Sequence, residues 1–152
     1  MKKMVLGISL AGIAALGLGL SLLQRPSAGP AEPVWDFERC AHCGMHLAER
    51  GYAAQFQPES GEPVFFDDPG CLLLWRAESG SKGRAYYHHV EEERWIAEPD
   101  AVFVSAGQTP MGWGFAVIDD ATAGPKGEDE HWSPDEALAF LQGSRGRSEN
   151  SR

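Results

Sequence analysis

The chain of 152 residues has room for one domain of ordinary size, and its hydrophobic content of 43% is that of a globular rather than a disordered protein. Its 22 acidic residues outnumber its 13 Lys and Arg residues, which gives a formal net charge of −9 at pH 7. This acidic balance excludes nucleic acid as a partner, because phosphates are bound by basic surfaces.

The first 25 residues differ in composition from the rest of the chain. Two lysines precede an apolar run of 20 residues, 4–23, that contains no charge. A helix of this length crosses a hydrocarbon core of about 30 Å, and the run is longer than the apolar region of a typical cleaved signal peptide. The sequence therefore predicts a signal or anchor segment over residues 1–25. An uncleaved anchor in the inner membrane is favoured, and cleavage near Ala28 or Ala31 stays open.

The N-terminal lysines should remain in the cytoplasm, which places the rest of the chain on the periplasmic side of the inner membrane. Residues 26–34 contain three prolines and predict an extended linker, so the folded domain is expected over residues 35–142. An oxidising compartment favours disulfides, but the chain has three cysteines. At least one thiol must therefore be free, bound to a metal or paired with another molecule.

The first half of the domain predicts a β-hairpin that leads into a helix. A strand, a turn and a second short strand are expected at residues 52–57, 58–62 and 64–66. Asp68 is the expected N-cap and Pro69 the first position of a helix that continues over residues 71–79. A strand over residues 85–90 completes a β-β-α-β unit.

The second half predicts further strands and one more helix. Strands are expected at residues 94–97, 101–105 and 115–118, with the first two as a hairpin-like pair, and a polar irregular segment is expected at 121–130. Ser133 and Glu136 form a capping box, which predicts a helix over residues 134–142. The charged, Ser-rich residues 143–152 predict a disordered tail.

Residues 40–46 form a compact group of potential metal ligands, Cys40, His42, Cys43, Met45 and His46. Thiolate and thioether sulfur are soft donors and imidazole is borderline, a mixture that suits Cu(I) or Zn(II) rather than hard ions. A structural zinc site normally uses four Cys or His ligands from two knuckles, whereas this chain has a single Cys-x-x-Cys motif. Met45 therefore favours Cu(I), and Gly44 would let the backbone bend around the ion.

The Cys-x-x-Cys motif leaves two alternatives open. Cys40 and Cys43 could form a redox pair or a structural disulfide. A redox motif of the thioredoxin type opens a helix, whereas here Gly44 and a predicted hairpin follow, so a metal role is favoured. Cys71 lies in the first turn of the predicted helix, where a buried core residue and a functional thiol are equally consistent with the pattern.

Two methionines lie outside the apolar N-terminal segment, Met45 and Met111. Each is next to a glycine in a loop that also contains Cys or Pro, whereas core methionines usually lie within apolar runs. A ligand role is therefore favoured for both. The sequence leaves open whether Cys40, His42, His46 and Cys71 are ligands or structural residues.

Three motifs in this order resemble the signature of the NosL family, periplasmic copper chaperones that serve the maturation of nitrous oxide reductase. They are residues 43–45 (Cys-Gly-Met), 66–71 (Phe-Asp-Asp-Pro-Gly-Cys) and 109–114 (Thr-Pro-Met-Gly-Trp-Gly). The resemblance implies an α+β fold of two β-β-α-β-like halves and one Cu(I) held by soft ligands. The family's cysteine and methionine ligands fall on Cys43 and Met111.

The expected function is therefore a binding module rather than an enzyme. It would take Cu(I) in the periplasm and hand it to apo nitrous oxide reductase, a related copper enzyme or an assembly factor. The alternative is a thiol enzyme, either a thiol-disulfide oxidoreductase or an organomercury-lyase-like enzyme that uses Cys43 and Cys71 with Asp67 or Asp68. A structural domain stabilised by a disulfide between Cys40 and Cys43 is the third hypothesis.

Overall fold

The computed structural model describes residues 29–120 and 131–149, with side chains as far as residue 144. The predicted membrane segment, the irregular segment at 121–130 and the last three residues of the chain lie outside the described residues. Within the described ranges, neither helix combines the length and the apolar character needed to cross a bilayer.

In the part of the chain that the structure describes, two small antiparallel sheets and two helices form the α+β fold that the sequence predicts. The strands are β1 Ala54–Pro58, β2 Val64–Phe66, β3 Gly83–His88, β4 Trp95–Ala97, β5 Ala101–Ser105, β6 Phe115–Asp119 and β7 His131–Trp132, and the helices are α1 Pro69–Ser79 and α2 Pro134–Glu149. Short 3-10 turns lie at Arg50–Tyr52 and Glu98–Asp100. The first sheet has the order β2-β1-β3-β4 and the second has the order β6-β5-β7.

The first half of the chain forms the predicted β-β-α-β unit. In the first sheet β1 lies between its partners, with Ala54 opposite Phe66 of β2 and Tyr87 of β3. Helix α1 packs against β1, β2, β6 and α2. Its buried residues, Cys71 to Leu74 among them, therefore lie where the two sheets meet.

Helix α1 begins and ends as its sequence predicts. Asp68 has extended backbone angles and accepts a hydrogen bond from the Gly70 N–H at 2.9 Å, and Pro69 follows it in the first turn. At the other end Gly80 adopts the left-handed conformation with φ 63°, and its N–H donates to the Arg76 carbonyl. These local hydrogen bonds place Cys71 in the first turn of the helix.

The predicted hairpin-like pair of strands 94–97 and 101–105 is wrong. β4 pairs with β3 in the first sheet, and β5 pairs with β6 and β7 in the second. The 3-10 turn Glu98–Asp100 separates the two strands, with a proline near its start. Pro99 cannot donate a backbone hydrogen bond to a hairpin ladder, and the turn directs the chain from one sheet to the other. The second of the two expected β-β-α-β-like halves is not seen in the described residues, where β4 to β7 precede α2 and no strand follows it.

Helix α2 starts at the predicted capping box. The Ser133 N–H donates to Glu136 Oε2 at 2.8 Å, and the Glu136 N–H donates back to Ser133 Oγ at 3.3 Å. Ala137 and Leu141 are buried in the core. The helix continues to Glu149, seven residues beyond the predicted end at residue 142, so residues 143–149 are helical where the sequence predicted a disordered tail. Once the helix is nucleated and packed, each added residue gains a hydrogen bond without a new nucleation cost.

Part of the predicted linker is attached to the first sheet. The buried amide of Gln55 accepts from the Ala31 N–H at 2.8 Å and donates to the Ala31 carbonyl at 2.9 Å. Gln57 donates to the Gly29 carbonyl at 2.7 Å. A buried amide needs hydrogen-bond partners, and the linker backbone supplies them to both polar atoms of Gln55 and to Nε2 of Gln57. Residues before the predicted domain start at residue 35 therefore hydrogen bond to the first sheet.

Candidate metal centre

Three thiols and one carboxylate converge beside the N-terminus of α1. One ligand atom from each of Cys40, Cys43, Asp67 and Cys71 lies within 4.8 Å of all the others. The residues come from the 40–46 loop, the junction between β2 and α1, and the first turn of α1. All three cysteines are reduced thiols. The structure therefore brings the Cys-x-x-Cys motif together with the third cysteine, in the arrangement of a candidate metal site.

The 40–46 loop is a tight turn attached to the edge of the first sheet. The Gly44 N–H donates to the Cys40 carbonyl at 2.9 Å, and the Cys40 N–H donates to the Met45 carbonyl at 2.8 Å. Gly44 has φ +79°, a conformation that other residues adopt only with strain. The Ala41 N–H donates to the Phe65 carbonyl of β2 at 2.9 Å. These bonds hold the loop over the β2–α1 junction and turn two of its thiols toward Asp67.

Asp67 provides the carboxylate of the site. Its side chain is 3% exposed, and its Oδ1 accepts a hydrogen bond from the Cys43 thiol at 3.2 Å. Its Oδ2 is buried and has no hydrogen-bond partner among the described residues. Burial, reinforced by the neighbouring Cys40, raises the pKa of Asp67 to about 6. A buried carboxylate oxygen without a partner is costly unless a proton or a cation compensates it.

The three thiols ionise unequally because they share one site. The hydrogen bond from Cys71 lowers the pKa of Cys40 to about 4. Burial raises the pKa of Cys43 to about 12. The hydrogen bond to Cys40, together with burial, raises the pKa of Cys71 far above its ordinary value. Without a metal the group therefore favours a single thiolate, and further ionisation requires a cation to balance the charge.

The second loop, 109–114, is fixed to this site through Asp68. Thr109 Oγ1 donates to Asp68 Oδ2 at 2.7 Å, and the Met111 N–H donates to the same oxygen at 3.2 Å. The Trp113 indole N–H donates to Cys71 Sγ at 3.4 Å. Asp68 therefore has two roles, because its Oδ1 caps α1 while its Oδ2 holds the second loop.

Gly70 explains why the Asp-Asp-Pro-Gly-Cys segment and the loop containing Trp113 fit together. A Cβ atom at Gly70 would lie 2.7 Å from both Cβ and Cγ of Trp113 and 2.8 Å from its Cδ1. Only a residue without a side chain lets Trp113 lie this close to the start of the helix. The indole then reaches the thiol of Cys71, so Gly70 determines the position of the second loop relative to the site.

The two predicted histidine ligands, His42 and His46, lie outside the four-residue group. Met45 is 39% exposed, and Met111 is partly buried against the core. His42 Nδ1 lies 3.9 Å from a carboxylate oxygen of Glu78. His46 is exposed and pairs with Arg39 through a β-bridge.

Asp67 is the member of the group that ligand reasoning from the sequence missed, since the sequence suggested it only for the thiol-enzyme hypothesis. One signal was present, because two consecutive aspartates precede Pro69 although a helix needs only one N-cap. The second carboxylate was therefore available for another role.

No family model, curated protein or solved structure matches this chain. The fold and the site together define an α+β protein in which three cysteines and one aspartate, all buried except the partly buried Cys43, lie close enough together to hold a metal ion. The resemblance to the NosL family rests on the three sequence motifs.

Proposed function

We propose that this protein is a periplasmic Cu(I)-binding metallochaperone that delivers copper for the assembly of nitrous oxide reductase or a related copper enzyme. The observation that carries the proposal is the convergence of Cys40, Cys43, Cys71 and Asp67 within 4.8 Å. The Oδ2 of Asp67, which has no hydrogen-bond partner in the described part of the chain, adds a place for positive charge. Copper is the cargo in this proposal, and the protein performs no reaction on it.

The chemistry of the donors favours Cu(I). Three of the four groups are sulfur, and soft thiolates select Cu(I) or Zn(II) over Mg²⁺ or Ca²⁺. The four ligand atoms also lie nearly close enough to bind one ion. In a tetrahedral site with metal–sulfur bonds of about 2.3 Å, the value for zinc, the sulfurs lie about 3.8 Å apart. The distances between the ligand atoms, at most 4.8 Å here, would therefore need to shorten by about 1 Å at most. Met111 lies on the 109–114 loop, which hydrogen bonds to Asp68 and Cys71 beside the site, and thioether sulfur binds Cu(I) better than Zn(II).

Exposure of the site suits transfer by ligand exchange. Cys40 and Cys71 are buried, whereas Cys43 is only partly buried and Met45 next to it is exposed. An incoming ligand can therefore approach the ion from the side of Cys43. Cu(I) accepts a small number of ligands, so a partner's thiol or thioether can bind before a chaperone ligand leaves.

The location and the recipient are inferred from the sequence. The apolar run of residues 4–23 supports attachment to the inner membrane, and the two lysines before it support a periplasmic domain. The recipient, apo nitrous oxide reductase or its assembly factors, follows from the resemblance to the NosL family.

Competition experiments on the reduced full-length protein test the metal. One equivalent of Cu(I) should remain bound against a Cu(I) chelator, while Zn(II) should be lost to a zinc chelator of matched affinity. Cys43→Ser should release the copper, and His131→Gln, which changes a histidine of β7 outside the site, should not. Equal retention of both metals, or no copper in the wild-type protein, would refute the proposal.

A thiol enzyme is the second candidate, favoured by the 3.2 Å hydrogen bond between the Cys43 thiol and Asp67. A carboxylate beside a thiol can exchange a proton with it during thiol chemistry. Reduction of a disulfide substrate by the metal-free protein, with a small dithiol supplied to reduce the protein's own cysteines again after each cycle, measures this activity. Turnover that depends on Cys43 and is unaffected in Met45→Leu and Met111→Leu would favour the enzyme over the chaperone.

A further inference from the structure

A solvent-filled cleft lies beside the candidate metal centre, between the 40–46 loop and the 109–114 loop. Its volume is about 310 Å³. Its walls are formed by Met45, His46, Ala48, Glu49, Asp67 and Pro110. A larger cavity of about 900 Å³ beside Pro58 has no cysteine, histidine or methionine in its walls, so its chemistry is unrelated to the thiol cluster.

Asp67 connects this cleft to the thiols. It is the residue that belongs both to the cleft wall and to the four-residue group. Its Oδ2 is buried and unpartnered among the described residues, while its Oδ1 accepts from Cys43. An ion that reaches Asp67 from the cleft is therefore already within reach of the Cys43 thiol.

The outer part of the cleft carries two further soft or borderline donors. Met45 is 39% exposed, and His46 beside it is also exposed. Cys40 and Cys71, by contrast, are 3% and 0% exposed. The donors are thus graded from exposed thioether and imidazole, through the buried carboxylate and the half-buried thiol of Cys43, to the buried thiols.

We propose that this cleft is the loading and unloading route for Cu(I), with Met45 and His46 as transient ligands that pass the ion to Asp67 and Cys43. This inference rests on the proposed Cu(I) binding. Each step forms one copper–ligand bond before another breaks, and copper stays Cu(I) throughout. The proton of the Cys43 thiol leaves to solvent when its sulfur binds the ion. A transient ligand lowers the barrier in both directions, so it changes rates without changing the equilibrium.

Stopped-flow measurement of loading and removal tests this route on the reduced full-length protein, with a Cu(I)-chelator complex as donor and excess chelator as acceptor. In the double variant Met45→Leu/His46→Gln both rates should fall about tenfold, which corresponds to a barrier about 1.4 kcal/mol higher. The dissociation constant should stay within about threefold of the wild-type value. Ala48→Trp keeps every donor but narrows the cleft, and it should slow both rates in the same way. His131→Gln is the matched control and should leave both rates unchanged.

Three outcomes would overturn the inference. Unchanged rates in the double variant would show that the two donors take no part in transfer. Faster removal with unchanged loading would make them resident ligands of the bound ion. Unchanged rates in Ala48→Trp would place the route elsewhere. Absence of copper from the wild-type protein would instead refute the proposed function itself, so the two failures are distinguishable.

Discussion

Gly70→Ala should loosen the second loop and weaken the metal site. The added methyl group would lie 2.7 to 2.8 Å from three atoms of Trp113, whereas ordinary carbon contacts begin near 3.4 Å. One of these atoms is the Trp113 Cβ, which is bonded to the backbone. Rotation of the side chain therefore cannot remove the overlap, and the 109–114 loop or the start of α1 must shift by several tenths of an ångström.

Two opposing effects determine the stability of Gly70→Ala. Alanine has a better helix propensity than glycine by up to about 1 kcal/mol. Forcing an extra carbon into a packed contact costs about 1 to 3 kcal/mol. The overlap involves three atoms, so we expect packing to dominate and the free energy of unfolding to fall by about 1 to 2 kcal/mol. The shift should also disturb the hydrogen bonds from Trp113 to Cys71 and from Met111 to Asp68, and lower Cu(I) affinity at least about tenfold.

Gly80→Ala at the other end of α1 is the matched control. A methyl group there has no atom within 4 Å, but the backbone has φ +63°, so the substitution costs about 1 to 2 kcal/mol through backbone strain alone. Urea unfolding of the metal-free protein and chelator competition measure the two effects. Gly80→Ala should lose stability and keep its copper affinity. Wild-type stability and affinity in Gly70→Ala, or equal losses of affinity in both variants, would refute the packing argument.

Three further predictions concern the ligands. Met111→Leu nearly preserves the side-chain volume, so the free energy of unfolding should change by less than about 1.5 kcal/mol. Chelator competition should show at least about a tenfold loss of Cu(I) affinity if the Met111 thioether binds the ion. Unchanged affinity would exclude Met111 as a ligand. The pKa of Cys40 is lowered to about 4 in the folded protein, so the ultraviolet absorption of one thiolate should persist at neutral pH and disappear as the pH falls through about 4. The same absorption should be missing in Cys40→Ser. A thiolate that appears only near pH 9 would contradict this prediction. Burial raises the pKa of Asp67 from 3.8 to about 6, so ionisation of this carboxyl group disfavours the folded state as the pH rises through this range. Asp67→Asn should therefore stabilise the metal-free protein at pH 7.5 by up to about 3 kcal/mol and yet weaken Cu(I) binding. A variant less stable than the wild type at that pH would contradict the sign of this effect.

Local hydrogen bonding made the helix starts predictable from the sequence. The Asp68 cap and the Ser133–Glu136 capping box join groups no more than three residues apart, so these segments specify them without help from the rest of the fold. The β1–β2 hairpin was predictable for a similar reason, because a short turn joins its two strands. The Cys-x-x-Cys motif likewise identified the chemical class of the site, since thiols close in sequence cannot lie far apart in space.

Contacts between segments that are far apart in the sequence determined the strand pairing and the attachment of the linker. The pairing of β4 with β3 and of β5 with β6 and β7 depends on which strands meet in space, and adjacency along the chain misled the prediction of a hairpin. The linker's attachment to Gln55 also depends on a residue 24 positions away. Both outcomes are set by burial and by the need to pair buried polar groups, which no short window of sequence reveals.

The sequence by itself determined that this protein has a soft-donor cluster and a capped helix, because each of these features is local. Only the tertiary structure decided which donors share one site. It brought Cys71 and Asp67 to Cys40 and Cys43 and left the two histidines outside the four-residue group. The physical reason is that a ligand set requires atoms within a few ångströms of one another. That condition depends on how the 40–46 loop, β2 and α1 pack, with Gly70 giving Trp113 room beside Cys71.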